Sequence, residues 1–445
     1  MKSKAISVTV FRAYDIRGVY GTELTNDLVN RIGKAFGSYA SGRVTVGRDT
    51  RISGPILQKS FLDGVLSTGC EVYSYDIIPI SILSFVTRLD GFVAAAYISA
   101  SHNPPEYNGI RFRTGDGYGL LYQNTDITTF YNQSDFKLGD GNIINVSPED
   151  AKRRYGQYVA GKVDIQRPLK LVLDMGNGSA CTMEHLYKSL GFHTIVLNGD
   201  MDGNFSGRGP APNEESLLSA AKAVIDEKAD FGVGFDPDAD RGIIIDDKGR
   251  VLHPEKVAII IARKRYKPGD LVISGFDCSM ILEKELNQNG ISVARERVGD
   301  VFVANRVRNS GAVLGVERSG HFFLPEFQYS DDPFAMSLAL GEIISKGEKL
   351  SDLVDQIPDY PYLQRSIKVN EDPDAIMQRL KDVLARFEPD TTDGLKITEE
   401  DYSVLIRPSN TEPLIRLYVE TTGMNLKDLA EHYEKMIRKA FKLPQ

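Results

Sequence analysis

The chain has 445 residues, 42% of them hydrophobic and 26% charged, and carries a formal charge of −8 at pH 7. That length accommodates roughly three or four domains of ordinary size, each with a core of its own. The negative balance argues against a nucleic-acid scaffold, which would cluster Lys and Arg, but it leaves room for a local basic pocket that binds an anion.

In chain order, the opening stretch MKSKAISVTVFRAYDIRG has lysines, then a short apolar run that meets Arg12, Asp15 and Arg17. This predicts a strand, not a secretory signal. Three later segments, RVTVGRDTR (43–51), KLVLDMGNGSA (170–180) and DLVISGFDCS (270–279), each read as a strand, a loop of small polar residues and a helix. A second strand with a conspicuous loop follows each one: FVAAAYISASHNP (92–104), ADFGVGFDPDADR (229–241) and AVLGVERSGHFF (312–323). Three copies of one α/β unit, each donating a loop, is the economical reading; a run of unrelated α/β units is the alternative. From about Tyr360 the pattern changes to helix, turn, strand and helix, which predicts a smaller α+β domain. The expected division is 1–150, 151–252 and 253–358 for the α/β domains and 359–445 for the last. Cys70, Cys181 and Cys278 lie far apart without CxxC pairing, so neither a disulfide framework nor a zinc cluster is expected. No apolar run approaches the roughly 18 residues of a membrane span, and a cytoplasmic protein is expected.

The chemistry concentrates in four loops. In ISASHNPPEYNGIRF (98–112), Ser101 and His102 stand at a strand end stiffened by two prolines. In GFDPDADR, Asp236, Asp238 and Asp240 alternate, so an extended backbone would point all three carboxylates to one side. Their repulsion calls for a hard divalent cation such as Mg²⁺. A calcium loop fits poorly, because its sixth position would be Arg241, not Gly, and its twelfth Asp247, not Glu. A solvated acidic turn is the plainer alternative. GVERSGHFF offers Glu317 and Ser319 for sugar hydroxyls and His321 for proton transfer or phosphate contact, although a structural histidine fits equally well. IRPSNTEPLIRLYVE presents Arg407, Ser409, Asn410 and Thr411 between two apolar strands, either a cradle for a phosphate dianion or an ordinary turn.

Taken together, SASHNP, DPDADR, GVERSGH and RPSNTEP, preceded by FRAYDIRG and VGRDTRISG, resemble the α-D-phosphohexomutase superfamily from Phe11 to Glu420. The resemblance implies a heart-shaped α/β protein: three related α/β domains with mixed sheets, a smaller C-terminal α+β domain, and an active site in the central cleft. It implies that Ser101 is the phosphoserine and that Asp236, Asp238 and Asp240 hold Mg²⁺ together with a phosphoserine oxygen. It further implies that Arg241 contacts the phosphate region, that Glu317 and Ser319 recognise the sugar, and that Arg407, Ser409, Asn410 and Thr411 clamp the non-reacting phosphate. Tyr14, Arg17, His102 and His321 are implied as cleft contacts or proton-transfer groups. The implied reaction exchanges phosphate between the 1- and 6-positions of a hexose through a hexose 1,6-bisphosphate, which also serves as activator.

Three departures stand out: Arg111 where many members carry lysine, Glu296 where threonine is frequent, and Ser206 where proline is usual. A guanidinium is a poor base, so Arg111 is expected to stabilise charge. Glucosamine-specific members often show GEQSGH and RPSGTEP, whereas Arg318 and Asn410 here resemble the mannose/glucose subgroup. The expected partners are small-molecule hexose phosphates, with no nucleic acid and no membrane, for a monomer or homodimer. An Asp-nucleophile phosphatase is disfavoured because Asp240 stands where Thr or Val would follow D-x-D. A non-catalytic sugar-phosphate-binding protein would need neither Ser101 nor the metal triad.

Overall fold

The computed structural model describes residues 10–12, 15–408 and 414–441. Tyr14, Ser409, Asn410, Thr411 and much of the predicted N-terminal strand therefore lie outside the described residues, while Ile16–Val19 is a strand. Four sheets organise the chain. The first has the order β1-β5-β4-β2-β3-β6, built from β1 (Ile16–Val19), β2 (Arg43–Arg48), β3 (Glu71–Ile77), β4 (Ala94–Ile98), β5 (Tyr107–Thr114) and β6 (Asn142–Asn145). The second, β10-β9-β7-β8, uses β7 (Lys170–Asp174), β8 (His193–Leu197), β9 (Phe231–Phe235) and β10 (Gly242–Asp246). The third, β12-β11-β13-β14, uses β11 (Leu271–Gly275), β12 (Ser292–Glu296), β13 (Leu314–Val316) and β14 (Phe322–Phe323). The fourth, β15-β18-β17-β16, is antiparallel throughout, from β15 (Tyr362–Lys368), β16 (Leu395–Thr398), β17 (Tyr402–Pro408) and β18 (Leu414–Thr421).

The threefold recurrence of the sequence is a threefold recurrence of topology. In each of the first three sheets the opening strand is flanked by two parallel strands: β3 and β4 on β2, β8 and β9 on β7, β12 and β13 on β11. An antiparallel strand then closes each unit, β5 on β4, β10 on β9 and β14 on β13. The three conspicuous loops all link the third strand to the fourth, at the carboxyl end of a parallel strand, where α/β sheets bind ligands. The strands β4 and β9 are buried along their whole length, as their unbroken apolar sequences require of sheets covered on both faces.

One continuous apolar core runs from Tyr75 to Ile357 and joins elements of all three α/β units, so their loops are held in fixed relation. The fourth sheet instead packs its helices around a separate core, from Ile367 to Ala440. Its junction with the third unit is largely polar. The Met280 backbone N–H donates to Glu420 at 2.9 Å, that of Val298 to Asp393 at 2.9 Å, and Lys396 Nζ to the carbonyls of Phe276 at 2.8 Å and Cys278 at 3.2 Å. An interface of this kind permits rigid-body movement more readily than a shared core does. Among the described residues no helix is long and apolar enough to cross a membrane.

Burial, reinforced by Arg295, lowers the Lys396 ammonium to about 7. A lysine depressed in the folded state contributes stability that is present above its unfolded pKa and lost as pH falls through the folded one. The thermal midpoint is therefore expected to rise between pH 7 and 10, and Lys396→Met to flatten that rise; an equal rise in both proteins contradicts the assignment.

Candidate active site

The loop after β4 carries Ser101 in the left-handed region, at φ 50°. This conformation is uncommon for a residue with a Cβ and persists only where the surroundings impose it. It sets Ser101 Oγ 3.0 Å from Asp236 Oδ2 and 3.3 Å from His102 Nδ1, with the serine fully buried. The Ser101 backbone N–H donates to Ser99 Oγ at 2.8 Å, and Ser99 Oγ in turn lies 2.8 Å from Asp49 Oδ2 and 3.0 Å from Asp238 Oδ2. Arg17, on β1, donates to the carbonyl of Ala100 at 3.2 Å and to Asn103 Oδ1 at 2.8 Å, while pairing with Asp15 at 2.6 Å.

Asp236, Asp238 and Asp240 converge as the alternation predicts, each fully buried and with ligand atoms within 4.8 Å of one another. The means differ from the expectation. The segment is a turn, not an extended strand, and Ala239 adopts φ 56° to bring Asp240 back beside its neighbours. Arg111, on β5, faces this turn from the first unit. Its Nη1 lies 3.0 Å from Asp238 and bonds Asp240, and its Nη2 pairs with Asp300 at 2.6 Å and lies 3.8 Å from Asp331. Burial alone would lower this guanidinium, but Asp240, Asp300, Asp238 and Asp331 raise it well above its ordinary value. It is a fixed cation and cannot serve as a base. Arg113 extends the network to Asp331 at 3.0 Å and Asp300 at 3.4 Å.

From the third unit, His321 places Nδ1 2.7 Å from Glu317 Oε2 and 2.9 Å from Ser319 Oγ, and Nε2 3.4 Å from Asp240 Oδ2. Burial opposes its protonation, but Asp240 and Glu317 outweigh burial and the neighbouring Arg241, and raise it to about 10. His321 is thus an imidazolium at neutral pH. His102 is driven the other way, to about 2, by Arg241, by burial and by Arg17, and stays neutral. Glu317 also accepts the backbone N–H of Gly299 at 2.7 Å, so both of its oxygens are engaged. Arg241 Nε lies 3.7 Å from Asp236 and 3.2 Å from His321 Nε2. Arg318 turns away from this cluster. Its guanidinium lies 4.0 Å from the ring centre of Tyr362, with Nη1 3.3 Å from the carbonyl of Asp277. Arg407, at the end of β17 in the fourth unit, pairs with Asp393 at 2.9 Å.

The distribution of charge tests whether a metal fits. Arg111, then His321 and Arg241, overcome the effect of burial and hold Asp240 well below the usual carboxylate range. Asp236 is pushed well above that range by burial, then by Asp240 and Asp238. Asp240 is met by Arg111 and His321, whereas Asp236 faces the Ser101 hydroxyl at 3.0 Å and Arg241 at 3.7 Å. Asp238 Oδ1 and Asp240 Oδ1 are moreover buried without a hydrogen-bond partner among the described residues. Buried oxygens left in this way are costly, and an all-oxygen set suits a hard divalent cation. Asp240, His321 and Asp331 form a second group of the same span, in which Asp240 already pairs with Arg111 and Asp331 with Arg113.

The fold brings together the residues singled out in the Ser101, DPDAD and GVERSGH loops, and adds Ser99, Asp49, Asp300, Asp331 and Arg113, which the sequence did not single out. The pair Asp49 and Arg51 stands out in RDTR as charge at the end of a buried strand, a usable signal. Asp300 and Asp331 have none, because their partners Arg111 and Arg113 lie on β5, 189 and 218 residues away.

Loops of three repeated α/β units thus meet around a serine and a carboxylate triad, an arrangement suited to phosphoryl transfer. Models of phosphoglucomutase/phosphomannomutase α/β/α domains I, II and III match residues 8–138, 153–249 and 253–360, and that of the C-terminal domain matches 366–439. A phosphoglucomutase/phosphomannomutase of Thermococcus kodakarensis is 34% identical over 430 residues, spanning 92% of this chain and 94% of that one. A probable phosphoglucosamine mutase of Methanothermobacter thermautotrophicus is 34% identical over 423 residues, spanning 92% and 93%. The crystal structure of a phosphoglucomutase/phosphomannomutase family protein from Burkholderia thailandensis superposes with a TM-score of 0.88 at 28% identity, covering 98% of each chain. The chain belongs to the phosphoglucomutase/phosphomannomutase family of the α-D-phosphohexomutase superfamily and is a phosphotransferase isomerase.

Removing a single partner from a buried ionic network strands the others, at a cost of about 3–5 kcal/mol. Arg111→Met is expected to destabilise the protein on that scale in urea unfolding, and adding Asp300→Asn to recover part of the loss. Strictly additive losses contradict the network.

Proposed function

We propose that the protein interconverts hexose 1-phosphate and hexose 6-phosphate of mannose and/or glucose through a phosphorylated Ser101. The observation that carries this reading is Ser101 Oγ, buried 3.0 Å from Asp236 Oδ2 of the carboxylate triad. Phospho-Ser101 gives its phosphoryl group to the free hydroxyl of the bound sugar phosphate. The Oγ–P bond breaks, a sugar O–P bond forms, the sugar hydroxyl loses its proton and Ser101 gains one. The resulting hexose 1,6-bisphosphate turns over in the cleft, and the other phosphate returns to Ser101 by the same step in reverse.

Asp236, Asp238, Asp240 and the serine oxygen would hold Mg²⁺, which when bound neutralises negative charge on the phosphoryl group. Arg241 faces the same region with a fixed positive charge. Proton transfer falls to a group able to accept a proton. His102, 3.3 Å from Ser101 Oγ, can orient that hydroxyl, but with its pKa held to about 2 it is too weak a base for this role; Arg111 is a fixed cation and His321 is already protonated. Arg407, with Ser409, Asn410 and Thr411, takes the non-reacting phosphate. Because the sugar must present either end, the clamp recognises phosphate at both positions. A domain that closes over the ligand excludes the water that would hydrolyse phosphoserine.

The preference for a neutral hexose rests on Arg318 and Asn410, which resemble the mannose/glucose subgroup where glucosamine-specific members often show GEQSGH and RPSGTEP. A phosphoglucosamine mutase is the second reading, favoured by relatives of that name at equal identity.

Coupled assays with mannose 1-phosphate, glucose 1-phosphate and glucosamine 6-phosphate on one preparation are expected to give the higher rates with the neutral sugars; a dominant glucosamine rate reverses the preference. Calorimetric titration with Mg²⁺ is expected to show binding by the parent and none by a protein in which Asp236, Asp238 and Asp240 are all Asn. Undiminished binding by that variant removes the metal assignment.

A further inference from the structure

Arg51, in the segment VGRDTRISG, is a fully buried arginine to which the reaction outlined above gives no role. All five of its N–H groups are used. Nε donates to Asp49 Oδ2 at 3.1 Å, Nη1 to the carbonyls of Pro104 at 2.7 Å and Tyr107 at 2.9 Å, and Nη2 to those of Ser101 and Asn103, both at 2.6 Å. Four backbone carbonyls of one loop thus converge on a single guanidinium. Left unpaired in a buried site, each would be costly, and no other side chain offers five donors in one rigid plane.

Asp49 completes the arrangement. Its Oδ1 accepts the Arg51 backbone N–H at 2.9 Å, and its Oδ2 receives Arg51 Nε and Ser99 Oγ. Ser99 in turn takes the Ser101 N–H. The peptide units on both sides of Ser101 Cα are thereby fixed, the carbonyl by Arg51 and the N–H through Asp49 and Ser99. This accounts for the left-handed φ of 50° and for where Oγ points.

The second unit holds Arg51 from the other side. The ring centre of Phe205 lies 5.0 Å from the guanidinium, and Thr50 Oγ1 donates to the Asn177 carbonyl at 3.0 Å. Gly203 passes so close that a Cβ there would come within 2.5 Å of the Thr50 carbonyl. The same unit carries the triad, so this contact ties the Ser101 loop to the body that holds Asp236.

We propose that Arg51 is a positioning residue for phosphoryl transfer: it moulds the Ser101 loop and docks it on the metal-binding unit, without touching substrate. The proposal rests on Ser101 being the phosphoryl carrier. A lysine at position 51 keeps the charge but cannot bond four carbonyls, and a displacement of about 1 Å costs on the order of 100-fold in rate.

The test uses full-length protein phosphorylated with glucose 1,6-bisphosphate. Single-turnover transfer to the best hexose monophosphate is measured with that ligand's dissociation constant, because a transfer rate constant does not depend on the fraction of protein that is folded. Arg51→Lys is expected to slow transfer by about 100-fold while the dissociation constant stays within about threefold. Transfer at the parent's rate overturns the proposal. If Arg51→Lys does not fold, Phe205→Leu decides. That variant keeps all five hydrogen bonds but removes the ring beneath the guanidinium, and slowing of about three- to tenfold at unchanged affinity is expected. An unchanged rate in Phe205→Leu then overturns the proposal. Ser101→Ala, treated identically, separates the two claims: phosphate retained on that variant removes the carrier assignment, whereas phosphate on Ser101 with unimpaired Arg51→Lys removes only the role of Arg51.

Discussion

Three carboxylates buried around a serine hydroxyl cannot be stable unless positive charge is brought to them, and the architecture follows from how that charge is supplied. Arg111 arrives from the first α/β unit, Arg241 from the second and His321 from the third. The site is therefore complete only when the three units are docked, and a single continuous core from Tyr75 to Ile357 does the docking. Arg111 and His321 meet Asp240, while Asp236 faces Ser101. A structural ion-pair network and a reaction centre thus share one set of carboxylates.

The repeated topology explains why the chemistry falls on loops distant in sequence. Each unit ends its third strand at the same edge of its sheet, so three similar strand ends bring Ser101, the carboxylate triad and the loop of Glu317 and His321 to one place. The fourth domain is joined differently, with its own core and a polar junction through Glu420, Asp393 and Lys396. That contrast fits the proposed reaction, in which the groups around the phosphoryl group in flight would need to be rigid relative to one another and the domain carrying Arg407 would admit and release the sugar.

Much of this was legible in the sequence because the signals were local. Unbroken apolar runs such as AAAYI and FGVGF marked buried parallel strands, and dense polar loops at their ends marked the site. Alternation in DPDAD correctly brought three carboxylates together but wrongly implied extended backbone, since spacing alone does not reveal the turn that Ala239 makes at φ 56°. Asp300 and Asp331 were not legible, because their function is to face Arg111 and Arg113, and that pairing exists only in the fold. His102 and His321 could not be distinguished in sequence; opposite surroundings make one neutral and the other cationic. Arg111 was already expected to stabilise charge; the fold adds the four carboxylates that it faces.

The central claim is that Ser101 carries the phosphoryl group, and intact-mass spectrometry with peptide mapping addresses it directly. After treatment with glucose 1,6-bisphosphate the protein should gain about 80 Da on the peptide containing Ser101, and the gain should vanish when hexose monophosphate is added. A protein that turns over hexose phosphate at full rate with no such gain, or with the gain on another residue, contradicts the account.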